Sequence, residues 1–252
     1  MSEVLLRERQ GAVLALTLNR PEKRNALNLA MVDALHAALD MVDLDPEVRV
    51  VVIRGAGKDF CAGADLDELL ASASRSPDEN ERDALRLGTL LVRIRRCPRP
   101  VVALVQGRAL AGGAGVATAC DLVIAAESAQ LGYPEIQRGF VPAMVMAFLR
   151  RLAGEKVAFD LVATGRIMTA AEARSAGLVT RVEPDAGFEA AARALVDALA
   201  AASPSAMHLT KKLFYELDGI GIDDGVALGA RVNALARTTA DFREAISRFL
   251  SR

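Results

Sequence analysis

The sequence predicts an α/β fold with strands concentrated early and helices late, and three observations predict it. Short apolar runs recur through the first half, at residues 12–18, 48–53, 101–105 and 122–126, the second of them rich in valine, and runs of this length bounded by turn residues suit buried strands. Leu29, Val32, Leu35, Leu39 and Val42 repeat instead at the spacing of one helical face. Beyond residue 134 the pattern is mostly helical, with one further strand candidate at residues 178–182.

Taken in order, the first strand ends at Asn19-Arg20-Pro21 and the helix after it stops before Asp45-Pro46. Gly55-Ala56-Gly57 ends the second strand. Residues 72–80 are polar and contain Pro77, so they read as a mobile loop ahead of a helix over 81–95. That loop is expected to cover the site and to order on ligand binding. Pro98 and Pro100 bracket the entry to the strand at 101–105, which runs into the small-residue segment GRALAGGAGVATAC. Only a short helix fits before the next strand. The final helical stretch, residues 186–250, carries a break at Gly219-Ile220-Gly221.

With 252 residues the chain can bury one sizeable core, and one main domain with a tail is the favoured organisation. Hydrophobic residues make up 52% and charged residues 25%, the balance of a folded chain and not of a disordered one. No apolar stretch reaches the length of a membrane span, and the start lacks the order of a signal peptide, so the expected location is the cytoplasm. Cys61, Cys97 and Cys120 are odd in number and lack metal-ligand spacing, so buried thiols are expected. A formal net charge of -1 and 4% aromatic residues argue against a nucleic-acid partner.

Two segments carry chemistry. Phe60-Cys61-Ala62-Gly63-Ala64-Asp65 follows a buried strand and opens a helix, so free first-turn amides are expected near Ala62. Leu110-Ala111-Gly112-Gly113-Ala114-Gly115 repeats the arrangement, with side chains small enough for a ligand to touch the backbone. Two such turns can form one hole for a developing oxyanion. Tight packing of a helix on a sheet explains small residues equally well. A dinucleotide-binding turn does not, because the glycines miss the GxGxxG spacing and the helix is too short.

The strings FCAGADL, GRALAGGAGVATACDLVIA and LGYPEIQRGFVPA, with NRPEKRNALN before them and TAAEARSAGLVTRV after, resemble the crotonase family, the enoyl-coenzyme A hydratases and isomerases. The resemblance implies a spiral of repeated strand-strand-helix units over residues 1–195. A C-terminal helical region, 196–252, would form a homotrimer or a dimer of trimers. It implies an acyl-coenzyme A substrate, no separate cofactor, no metal, no membrane partner, and oxyanion donation by the amides of Ala62 and Gly112. Glu135 falls on the family's second acid/base glutamate, whereas Gly115 stands where the first would be and Ala143 where some isomerases place an aspartate. Lys23 and Arg24 match the basic region that contacts coenzyme A phosphates, Lys211 on a late helix is a further candidate for a 3′-phosphate, and Ala64, Asp65 and Leu66 resemble the stretch bordering the adenine. Tyr133 and Arg138 fall at substrate contacts, Arg138 as partner of a substrate carboxylate.

The expected function is therefore a lyase that reversibly hydrates a short 2-enoyl-coenzyme A, branched or acidic, such as 3-methylglutaconyl-coenzyme A. An isomerase needs only one carboxylate to move a proton between carbons, so Gly115 keeps that reaction open. A non-catalytic member binding a partner is the third reading. Gly115→Glu would restore the carboxylate pair if the site has room. His36 and His208 lie far from the motifs, and Ser128 and Ser203 lack a triad pattern.

Overall fold

In the computed structural model, residues 3–251 are described. The chain begins with the hairpin β1 (Leu5–Gln10) and β2 (Val13–Leu18), followed by α1 (Leu29–Leu44) and β3 (Val50–Gly55). Next come α2 (Leu66–Ser72), α3 (Pro77–Arg96), β4 (Val101–Val105), β5 (Arg108–Leu110) and α4 (Gly112–Ala119). The middle holds β6 (Leu122–Ala126), β7 (Gln130–Gly132), a 3-10 turn (Pro134–Arg138), α5 (Ala143–Thr164), β8 (Ile167–Thr169), α6 (Ala170–Ser175) and β9 (Arg181–Glu183). Four helices close the chain: α7 (Phe188–Ala201), α8 (Pro204–Glu216), α9 (Ile222–Ala236) and α10 (Ala240–Leu250).

Two successive turns, β4-β5-α4 and β6-β7-α5, each place one strand in each of two sheets and then a helix, the repeat of the expected spiral. The larger sheet runs β1-β2-β3-β4-β6-β9 and the smaller β5-β7-β8. All neighbours in the larger sheet beyond the β1–β2 hairpin are parallel. Every residue of β4 is buried, as are five of the six in β3, and each such valine or isoleucine stabilises the fold by about 1.5–3 kcal/mol over exposure. Among the described residues the three cysteines are free and buried, no helix is long and apolar enough to cross a membrane, and no group of His, Cys, Asp and Glu could hold a metal ion.

Four strands escape the sequence reading. β1 buries only Leu5, while β5, β7 and β8 are three residues each, too short for a period-2 pattern to register. The loop expected at 72–80 is a correction: α3 starts at Pro77, and only residues 73–76 separate it from α2. Pro77 loses no hydrogen bond at the first helical position. Ser76 and Glu79 form a reciprocal capping box ahead of the rest of the helix. The boundary expected at 195/196 falls inside α7, whose Phe188, Ala192 and Val196 are all buried, so the helix belongs to the core on both sides of that line.

Candidate active site

The smaller sheet sets the geometry. β5 and β7 pair in parallel with Leu110 opposite Gly132, so the chain segments leaving them, residues 111–115 and 133–138, start side by side. The Ala111 N–H donates to the Gly132 carbonyl at 2.8 Å. Glu135 follows three residues later, in a 3-10 turn that Gly139 ends in the left-handed conformation.

At the head of α4, Ala111 has φ +51° and offers no side-chain cap, and the Gly112 N–H donates no hydrogen bond among the described residues. An uncapped first turn leaves such amides unspent. The segment from β3 comes up against it through two single bridges. Cys61 bridges Ala109, its N–H donating to the Arg108 carbonyl at 3.0 Å and its carbonyl accepting from the Leu110 N–H at 2.9 Å. Ala64 bridges Leu27: the Leu27 N–H donates to the Gly63 carbonyl at 2.7 Å, and the Asp65 N–H to the Leu27 carbonyl at 2.9 Å.

These bridges correct the assignment of Ala62. Its N–H donates to the Arg24 carbonyl at 2.9 Å and is spent inside the fold. Because successive amides of extended chain point to opposite sides, the Ala64 N–H faces away from Leu27 and donates no hydrogen bond among the described residues. Gly63, at φ +97°, allows the approach: a Cβ there would lie 2.7 Å from the Ala111 Cβ and 3.5 Å from the Gly112 nitrogen. The unspent amides of Ala64 and Gly112 thus belong to segments in direct contact.

Glu135 is 8% exposed, and its Oε2 is buried without a hydrogen-bond partner. Burial raises its pKa above the ordinary 4.5, against smaller lowering effects from its own backbone amide and from Arg138. The Oε2 of a carboxylate held this way is a proton acceptor with no competing donor among the described residues. Arg138 is exposed and makes no ion pair among the described residues. Tyr133, assigned to substrate contact, is fully buried with its hydroxyl 3.4 Å from the Thr118 Oγ1. It offers no free surface to a substrate.

The walls are apolar. A Cβ on Gly112 would meet Leu87 at 3.3 Å and Leu27 at 3.5 Å, and one on Gly115 would overlap the Val145 Cγ1 methyl and meet Leu91 at 3.6 Å. The site therefore lacks the room that Gly115→Glu requires. In the sequence Leu27, Leu87, Leu91 and Val145 are legible only as apolar, and no local signal singles them out as wall residues.

The proposed coenzyme A contacts divide. Lys23 is exposed and pairs with Asp67 at 2.8 Å; Arg24 supplies the carbonyl that binds Ala62 and makes no side-chain pair among the described residues. Leu66 is exposed at the start of α2. Asp65 does not present its carboxylate. It caps α2 and pairs with Arg20 at 2.7 Å. Burial raises its pKa, but the Arg20 hydrogen bond and the Asp67 amide more than offset that and hold it below the ordinary range. Lys211 is a further correction: only 8% exposed, its Nζ donates to Asp121 at 2.6 Å and to the Arg99 carbonyl at 2.9 Å. A cavity of about 510 Å³ opens between Lys58, Gln106, Arg108 and Phe188, and its lining includes neither Glu135 nor Gly112.

A family model described as enoyl-CoA hydratase/isomerase matches residues 8–252. A Thermus thermophilus protein, provisionally assigned as an enoyl-CoA hydratase, is 45% identical over 96% of each chain. The 2,3-dehydroadipyl-CoA hydratase of Escherichia coli is 36% identical over 100% of this chain and 97% of its own. Among solved structures, the enoyl-CoA hydratase of Mycobacterium smegmatis superposes with a TM-score of 0.95 at 33% identity, covering 99% of this chain and 97% of that one.

Proposed function

Because the chain belongs to the enoyl-CoA hydratase/isomerase family, we propose that it reversibly hydrates a short 2-enoyl-coenzyme A with Glu135 as its single acid/base group. One observation carries this reading: the orphaned Oε2 of Glu135 lies three residues beyond Gly132, which is bonded directly to the turn that presents the free Gly112 amide. The thioester oxygen would accept from the Ala64 and Gly112 amides. As water adds its oxygen to C3, Glu135 takes the released proton, and negative charge gathers on the thioester oxygen. The enolate then collapses as C2 takes a proton back from Glu135. Preorganised donors of this kind stabilise the oxyanion by roughly 3–4 kcal/mol each.

Coenzyme A enters as part of the substrate, and exposed Lys23, Arg24 and Leu66 are the candidate contacts for its nucleotide end. Arg138, near enough to Glu135 to lower its pKa, supports an acyl group with its own carboxylate, such as 3-methylglutaconyl-coenzyme A. The E. coli relative is likewise named for the thioester of a dicarboxylic acid. A cytoplasmic location and a homotrimer or dimer of trimers complete the proposal.

The apolar packing at Gly115 favours a second reading, an isomerase in which Glu135 carries a proton between carbons and no water adds. Incubation with 2-enoyl and 3-enoyl thioesters, with products weighed by mass spectrometry, separates the two. Gain of one water from the 2-enoyl substrate is the expected result. Conversion of 3-enoyl to 2-enoyl without water establishes the isomerase, and no turnover of either establishes the non-catalytic reading.

A further inference from the structure

The geometry points to Val145 as the residue that closes the acyl end of the site and sets the chain length it accepts. The inference rests on the reading that a thioester carbonyl sits at the Gly112 amide. Gly112 to Gly115 is three residues of helix, a rise of roughly 4.5 Å, and the Gly115 N–H donates back to the Ala111 carbonyl at 3.0 Å, so this turn is regular. Along it the wall is made by Leu87 at Gly112 and by Leu91 and Val145 at Gly115.

Val145 is the stop. Its Cγ1 would overlap a Cβ on residue 115, so this close approach is possible only because α4 carries glycine there. Val145 is 3% exposed and belongs to the core. An acyl chain leaving a carbonyl at Gly112 and running along α4 thus meets the Val145 methyls after a distance that suits a short chain. Gly88 and Met144 seal the next contact between α3 and α5, where a Cβ on Gly88 would lie 3.1 Å from the Met144 side chain. The closure is therefore apolar and continuous. Neither Val145 nor Leu91 carries a group that can move a proton, so the role is selection and not chemistry.

The test uses binding of the saturated thioesters butanoyl-, hexanoyl- and decanoyl-coenzyme A, which cannot react, to the full-length protein by calorimetry. Val145→Ala is expected to improve decanoyl over butanoyl binding by roughly tenfold or more, the scale of methylene discrimination in apolar pockets. Val145→Ile is expected to weaken hexanoyl binding while leaving butanoyl binding within about twofold, and it serves alone if the alanine variant does not fold. Equal factors at every chain length in the variants that fold, with only a lowered Tm, would overturn the inference. Because no turnover is measured, failure of the hydratase reading appears separately, as intact length selection without hydration.

Discussion

At the scale of single residues, Glu135 and Gly115 define opposite constraints. Glu135 has no second carboxylate to share its task, so Glu135→Gln, which keeps the size and removes the base, is expected to lower kcat by roughly 10²-fold or more with thioester Kd nearly unchanged. Near-normal turnover would remove Glu135 from the mechanism. Its raised pKa also fixes a pH dependence. The base must be ionised, so the acid limb of kcat/KM is expected above the ordinary value of 4.5. For stability, the folded chain binds this proton more tightly than the unfolded chain. The favourable contribution is complete below 4.5 and is lost as pH rises through the folded value. Glu135→Gln should therefore raise Tm at neutral pH and leave it unchanged in acid below the ordinary carboxylate range. At Gly115 the overlap with Val145 means that Gly115→Glu adds strain where a second carboxylate was wanted. It is expected to destabilise by about 1–3 kcal/mol, the range for overpacked cores, measured by urea unfolding. A stable Gly115→Glu protein with faster hydration would show that α5 yields.

At the scale of elements, the polar contacts of Lys211 tie α8 to the larger sheet. Asp121, just before β6, accepts from Lys211 at 2.6 Å, from the Val101 N–H at 2.6 Å and from the Tyr215 hydroxyl at 2.7 Å. Arg95, on α3, stacks 4.2 Å from the Tyr215 ring and pairs with Asp218. Removing one member of a buried pair leaves the other charge without compensation. Lys211→Met is expected to cost about 3 kcal/mol in urea unfolding without changing acyl-coenzyme A affinity by more than about twofold. A selective loss of coenzyme A binding at unchanged stability would return Lys211 to the phosphate role.

At the scale of the whole molecule, α9 and α10 bury no residue within one chain. Ile222, Val226, Phe249 and Leu250 are exposed on them, and large apolar side chains left on helices with no buried face suit a surface that another molecule covers. Assembly into a trimer or a dimer of trimers is the proposed cover. Sedimentation equilibrium is expected to give a multiple of three chains, and Val226→Asp with Phe249→Asp to reduce it. A wild-type monomer at micromolar concentration would count against assembly through these helices.

The sequence alone determined the features whose causes are local. Short apolar runs located β3, β4 and β6; three- and four-residue spacing located α1; and the order of motifs located Glu135, Gly112 and Gly115. Tertiary structure decided whatever depends on a partner distant in sequence. Ala62 and Ala64 are alike in size, in apolarity and in their place beside Gly63, yet one amide is spent on Arg24 and the other is not. Only the bridge from Ala64 to Leu27 distinguishes them. Lys211 resembles any lysine on a helix until Asp121, ninety positions earlier, buries it. The physical reason is the same in each case: composition sets what a residue can bond, but a hydrogen bond is directional and short, so its partner is chosen by the fold.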